Sequence, residues 1–420
     1  MKRIILIFFG LIPMLVFGQS LELSLDTALK LARDNYPLIE QRALLQKTNS
    51  LTVQNIQTAY LPQLSFGAQA TYQSDVTSVP ISLPNLKINP LSKDQYKLVA
   101  DISQLIYDGG NNRVQKEMQQ SSFKVEDQKI EVQLYQLKDR IQQLYLGILL
   151  LEEQEKLTRL TKDNITAGLN VVKAQVQNGT ALKSTQWVLE AQELQLQQRI
   201  NEMSLNREQL LKVMTLFIHR ELPASIKFVM PTIVQTIASN INRPELQLFA
   251  YQKDLLNAQT NLIKAKDAPK LSLFAQTGYG KPGLNMLKNE FSTYGIGGVK
   301  LNWNISRVYT SKKEKQIVAI SKSINDIQKD IFLLNTNAQL IQQQSEIEKA
   351  KSNVSIDEKI ISLRENVSAS SKAQLQNGVI NSNDYLREII AEDIAKSNFI
   401  LHKIQLVQAQ LNYKSISGNL

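Results

Sequence analysis

From Gln63 to Tyr72 the chain alternates strictly. Leu64, Phe66, Ala68, Ala70 and Tyr72 fall on one side, and Gln63, Ser65, Gly67, Gln69 and Thr71 on the other. A period of two predicts a β-strand with one apolar and one polar face. A second strand follows, with Tyr96, Leu98, Ala100, Ile102 and Ile106 on one face. The polar stretch between them carries Pro80, Pro84 and Pro90 and reads as a long hairpin connection. Leu271 to Tyr279 and roughly Tyr294 to Ile305 repeat this hairpin, with Val299, Leu301, Trp303 and Ile305 sharing a face.

Around the hairpins the period changes to that of helices. Gly110 to Gln177 contains no proline, and its interior glycines are Gly147 and Gly168. A continuous helix of that length spans about 100 Å at 1.5 Å per residue. Ile130, Leu134, Leu137, Ile141, Leu144, Ile148 and Leu151 form a heptad seam along it. Ile317, Ile320, Ile324, Ile327, Ile331, Leu334, Ala338 and Ile341 form a second seam. Leu182, Leu189, Leu196, Met203, Leu210 and Phe217 recur every seven residues on a return helix. So narrow a stripe does not bury itself in a globular core, and packing against neighbouring helices as a coiled coil is expected.

The plan is written twice. "AYLPQLSFGAQATYQ" (Ala59 to Gln73) returns as "KDAPKLSLFAQTGYG" (Lys266 to Gly280). Asn35-Tyr36-Pro37 lies 25 residues before Pro62, as Asn242-Arg243-Pro244 lies 25 before Pro269. Gln177-Asn178-Gly179 matches Gln376-Asn377-Gly378. This is a duplicated unit of about 200 residues rather than a short-period solenoid. The expected division is a first repeat over 19–220 (strand hairpin 63–107, helical hairpin turning near 179), a linker over 221–239, and a second repeat over 240–420 (strand hairpin 270–305, turn near 378). Before them, residues 1–18 read as a signal peptide: Lys2 and Arg3, then the apolar run Ile4 to Phe17, then a cleavage point at Gly18-Gln19. An uncleaved N-terminal anchor is the alternative.

Four spanning strands leave open edges, which lipid does not tolerate, so the pattern implies association. Three chains give twelve strands, a size at which outer-membrane barrels occur. The expected class is mostly α with a small β part: a long coiled-coil helical barrel plus four transmembrane strands per chain.

Composition narrows the function. The net charge is +10, or +8 once Lys2 and Arg3 are removed. The basic residues are scattered through helices with no run of four, so nucleic acid is a poor partner. The charge could favour anions inside a channel or meet anionic lipid headgroups outside. With no cysteine there is neither a disulfide nor a lipidated N-terminal cysteine. His219 and His402 are the only histidines and sit apart, and no metal, cofactor or catalytic constellation emerges. Trp303 and the tyrosines at 72, 96, 107, 279 and 294 read either as an interfacial girdle or as barrel packing.

Several stretches carry a family resemblance: "LSLDTALKLARDNYP" (Leu23 to Pro37), "AYLPQLSF" (Ala59 to Phe66), "LIYDGGNN" (Leu105 to Asn112), "NRPEL" (Asn242 to Leu246) and "APKLSLFA" (Ala268 to Ala275). In this order, with the duplication, the chain resembles the TolC-type outer-membrane efflux factors over essentially its whole mature length. The resemblance implies a homotrimer with a twelve-stranded β-barrel in the outer membrane and a twelve-helix α-barrel in the periplasm. It implies an exit duct for efflux or type I secretion. A periplasmic adaptor would join it to an inner-membrane pump of RND, ABC or MFS type. The Asn-Gly turns would be the docking tip, with Gly179 and Gly378 allowing the reversal and Thr180, Ala181, Leu182, Val379 and Ile380 forming the touched surface; a plain helix cap is the alternative there. Family members carry two aspartates three residues apart after the second tip glycine. Here Asp384 matches the first, but Arg387 stands at the second with Glu388 beside it. A mixed ring, intersubunit Asp–Arg pairs and a simple i,i+3 surface pair are all open. An envelope coiled-coil protein that passes nothing is the contrasting function.

Overall fold

The computed structural model describes residues 22–77, 90–233 and 240–419. The expected signal peptide, the segment with Pro80 and Pro84, and the end of the expected linker lie outside them. The elements in chain order are β1 (Glu22–Leu23), α1 (Leu25–Asn35), α2 (Leu38–Gln57), β2 (Gln63–Tyr72), β3 (Asp94–Tyr107), α3 (Asn111–Gln177), α4 (Lys183–Ile218), β4 (Lys227–Phe228), α5 (Pro244–Lys266), β5 (Lys270–Lys281), β6 (Ser292–Asn302), α6 (Val308–Gln376) and α7 (Ser382–Ser417). The order α2-β2-β3-α3-α4 returns as α5-β5-β6-α6-α7. Helices α4 and α7 are both 36 residues long and start 199 positions apart.

Two compact units divide the chain, and each draws on both repeats. One holds Met1–Tyr36, Leu134–Ile241 and Ala338–Leu420, the other Pro37–Gln133 and Asn242–Asn337. Helices α3 and α6 contribute to both.

In the first unit, Ser24 caps α1 by accepting the Thr27 N–H at 3.3 Å, satisfying a donor the first turn leaves free. The buried face of α1 (Leu25, Ala28, Ala32) joins Leu137, Ile141, Ile148, Met214, Ile218 and Leu411 in one core. The first heptad seam therefore finds its partners inside the chain, with Ile141 and Ile148 fully buried. At its centre, Tyr145 is fully buried. Its hydroxyl donates toward the carbonyl oxygens of Leu23 and Val229, both at 2.7 Å, and accepts the Val229 N–H at 2.9 Å. One phenol thus ties β1 to the residue that follows β4, the strand with which β1 pairs in parallel. Burial pushes the Tyr145 phenol up to about 12. Arg207 holds the same segment by donating to the Ala224 and Ile226 carbonyls at 2.9 and 2.8 Å, with Glu152 as its counter-ion.

A second core in this unit packs Ile165, Leu169 and Val172 of α3 against Leu189 and Leu196 of α4, Leu375 of α6, and Tyr385 and Ile389 of α7. Gly168 makes room for the Tyr385 ring: a Cβ there would lie 2.7 Å from Cε1.

The α6 seam behaves differently. Ile317, Ile324, Ile331, Leu334 and Ile341 are each at least 50 % exposed in the single chain. The expected packing against neighbouring helices is met inside the chain for α3, whose seam α1, α4 and α7 cover, while the α6 stripe lies exposed in the single chain.

In the second unit the four strands form one antiparallel sheet in the order β2-β3-β5-β6. The strand-to-helix corner is built on Asp108, which accepts the N–H groups of Gly110 and Asn112 at 2.9 and 2.6 Å and the Tyr60 hydroxyl at 3.0 Å. Gly109, at φ +71°, leaves no space for a side chain, since its Cβ would lie 2.3 Å from that of Ala268. Strand β6 ends at Asn302, earlier than its apolar alternation suggests. Trp303 leaves the strand and donates its indole N–H to the Asp267 carbonyl at 3.0 Å, and Ile305 opens a short 3-10 turn. Local hydrogen bonding wins there over the period-two pattern.

Two outcomes follow from these cores. Tyr145→Phe leaves the Leu23 carbonyl and the Val229 N–H with only each other, at 3.4 Å, and the Val229 carbonyl without its phenol donor, and should lower unfolding free energy by about 1–3 kcal/mol. The difference between wild type and variant should be complete below the ordinary phenol pKa of about 10 and shrink as pH rises through about 12, because the raised pKa makes the neutral phenol the stabilising form. Unfolding midpoints of both proteins against pH measure it. Gly168→Ala should cost about 1–3 kcal/mol by overpacking. Combining it with Tyr385→Leu should cost less than the two single changes added, a non-additivity read in a double-mutant cycle.

Candidate functional site

Two places are candidates for function: the turns joining the long helices, and the sheet. The turns are near copies. Helix α3 ends with Thr180 N–H on the Gln175 carbonyl at 2.9 Å and Gly179 N–H on Val176 at 3.1 Å. Helix α6 ends with Val379 N–H on Gln374 at 2.9 Å and Gly378 N–H on Leu375 at 3.1 Å. This doubled pattern closes a helix when the residue past its end is left-handed. Gly179 and Gly378 supply that at φ +73° and +69°, with open space around both. Backbone freedom is therefore their requirement, not close packing.

The two turns meet. Thr180, Ala181, Leu182, Gly378, Val379 and Ile380 line one concavity of about 710 Å3, and the Gln175 amide crosses it to the Leu375 carbonyl at 3.3 Å. Leu182 and Val379 are 76 % and 71 % exposed, whereas Ile380 packs against the core beneath. Gly179 sits in the turn but does not line the concavity.

The charged residues that follow separate. Asn381 caps α7, accepting the N–H groups of Asn383 and Asp384 at 2.9 and 3.0 Å. Asp384 thus occupies the first turn, where the helix dipole favours an acid. Arg387 pairs with its neighbour Glu388 at 3.2 Å, and Arg364 of α6 reaches Glu388 at 3.3 Å. Within the single chain the i,i+3 geometry of Asp384 and Arg387 is not used. Deeper in, Asp393 of α7 accepts from Thr161 of α3 at 2.6 Å and from Arg199 of α4 at 3.3 Å. Burial, with Glu392 nearby, pushes the Tyr385 phenol up. Tyr385, Gly168 and Asn381 fix where α7 starts and which side it presents, yet none stood out in the sequence. The run Asn381-Ser382-Asn383 ahead of a helix was the available signal for the cap.

In the sheet, register confirms one continuous apolar face. Leu64 opposes Ile102, Phe66 opposes Ala100, and Ala68 opposes Leu98. Leu98 opposes Tyr279 on β5, and Leu273 opposes Val299 on β6. Much of this face lies bare, with Phe66, Tyr72 and Leu301 at 67 % exposure or more. The opposite face carries Gln63, Ser103, Gln276, Lys300 and Asn302. The outer edges of β2 and β6 have no strand partner among the described residues. None of the described helices is long and apolar enough to cross a membrane.

The outer membrane efflux protein family model matches residues 28–217, the span of one repeat. No curated protein matches the chain by sequence. Solved structures similar in fold include the CmeC outer membrane channel of Campylobacter jejuni, at 14% identity and a TM-score of 0.68, covering 94% of this chain and 85% of that one. The MtrE outer membrane channel of Neisseria gonorrhoeae in its open state gives 14% identity, a TM-score of 0.68, and 94% and 89% coverage. The outer membrane protein VceC of Vibrio cholerae gives 12%, 0.62, and 94% and 96%. The family model thus matches one repeat, less than half of the chain, and the solved outer-membrane channels share its fold over both repeats.

Proposed function

We propose that this chain is an efflux channel of the outer membrane that extends into the periplasm, that three copies close a single twelve-stranded barrel, and that the paired turns around Gly179 and Gly378 dock on a periplasmic adaptor that links the duct to an inner-membrane pump. The observation that carries the first part is the four-stranded sheet with a bare apolar face and two unpaired edges. An edge strand in hydrocarbon leaves backbone N–H and C=O groups unsatisfied at several kcal/mol each, so β6 of one copy must pair with β2 of the next. The exposed stripe of α6 gives the helices a reason to associate as well.

The docking part rests on the concavity between the turns. Leu182 and Val379 present exposed apolar side chains at its rim, with Ala181, Leu375 and Ile380 in the lining beside Thr, Asn, Gln and Ser residues. A small apolar contact ringed by polar groups suits a protein partner of moderate affinity. Asp384, Arg387 and Glu388 lie just behind it. Repeated three times about an axis they would form a mixed-charge constriction, latched by pairs across copies rather than a purely acidic ring.

Photo-crosslinking residues placed singly at Leu182 and Val379 in living cells test the docking. Capture of one adaptor protein from both sites is expected, and the pump it belongs to narrows the cargo. Capture of nothing but further copies of this chain from both sites would remove the turns as a docking surface.

A further inference from the structure

We infer that the polar face of the sheet, at the end where strands pass into helices, is a binding surface for anions, so that the duct takes anionic cargo such as carboxylates, phosphates or sulfonates. The inference rests on the proposed three-copy barrel, in which this face lines the lumen.

Strand parity sets the charge. On the polar face the four strands carry Lys97, Asp101, Lys270 and Lys300 as their only ionisable groups apart from Tyr294. That is three cations against one anion per chain, and Asp101 already accepts the Gln276 amide at 2.6 Å. At the foot of this face lies a concavity of about 700 Å3 whose basic lining is Lys266, Lys270, Lys300 and Arg307, with no carboxylate in its wall. The four differ in state. Arg307 is neutralised by Asp267 at 3.2 Å and Glu314 at 3.0 Å. Asp267, adjacent to Lys266 in sequence, is also committed to Lys315 at 3.2 Å and to the Ser311 hydroxyl at 2.7 Å. Lys266, Lys270 and Lys300 are exposed and enter no ion pair among the described residues.

A pairable site wasted in this way would be unremarkable on an outer surface, where a lysine is simply solvated. Here Lys270 and Lys300 project from the face that the apolar side of the sheet forces away from lipid, and Lys266, at the end of α5, lines the same concavity. Three copies would set nine of them around one narrow passage with low-dielectric walls, where charge of one sign focuses field and concentrates counter-ions. The polar lining beside them, Gln63, Ser103, Ser272, Asn302 and Asn304, supplies donors for an anion's oxygens.

The test is the ion selectivity of the purified full chain in a planar bilayer under a potassium chloride gradient. A reversal potential of the sign set by chloride is expected, with a shift toward potassium in Lys270→Gln, in Lys300→Gln, and further in the double variant. Because the chain has no cysteine, Lys300→Cys can be charged in place by a negative methanethiosulfonate reagent after insertion, and the same shift should follow without risk to assembly. Potassium preference in the unaltered channel, or chloride preference that survives the double variant, overturns the inference while leaving the channel standing. No conductance under any voltage, salt or pH would overturn the barrel itself and this inference with it.

Discussion

A strand edge in hydrocarbon has nowhere to send its hydrogen bonds. Nearly everything else about this chain is arranged around that constraint. The sheet offers lipid one apolar face and keeps its polar groups on the other, but β2 and β6 each end with an open edge. Water could satisfy such an edge; hydrocarbon cannot, and each orphaned group costs several kcal/mol. In the proposed assembly, closure comes from further copies. The same incompleteness recurs on the helices, where the isoleucine stripe of α6 stays exposed in one chain while the leucine and isoleucine seam of α3 is already covered. One coiled-coil seam serves the fold of the chain, and in the proposed assembly the other meets neighbouring copies.

The two repeats divide labour despite their common plan. In the first, the tip glycine Gly179 leads into α4 through Leu182, which caps nothing with its side chain. In the second, Asn381 closes the start of α7 with two hydrogen bonds. Helix α7 also carries the one large aromatic buried at this end, Tyr385, seated against Gly168. The second turn is thus the more firmly held of the pair by local bonding, and the charged groups behind it inherit a defined position from that packing.

Much of this architecture was legible in the residues. Period-two alternation located β2, β3 and β5, and the heptad seams, with the absence of proline from 110 to 177, located α3 and α6, because backbone periodicity writes directly into side-chain order. The duplication located both turns, since a left-handed position at a helix end demands glycine and so repeats as Asn-Gly. Legibility failed where tertiary contact decides. Trp303 fits the strand pattern but leaves the strand for the Asp267 carbonyl. The seam of α3 looked as needy as that of α6, and only the placement of α1, α4 and α7 shows that it is covered. Arg387 could reach Asp384 by spacing, yet Glu388, steadied by Arg364 from another helix, takes it. Such pairings depend on which helices become neighbours, and a single sequence does not write that down.

The direct test of the central constraint is the mass of the assembly purified from membranes in mild detergent, measured by native mass spectrometry. Three chains per particle are expected, holding together until the sheet itself unfolds. A stable single chain, with its β2 and β6 edges unpaired and the protein still inserted in membrane, would contradict the requirement that another copy closes the barrel.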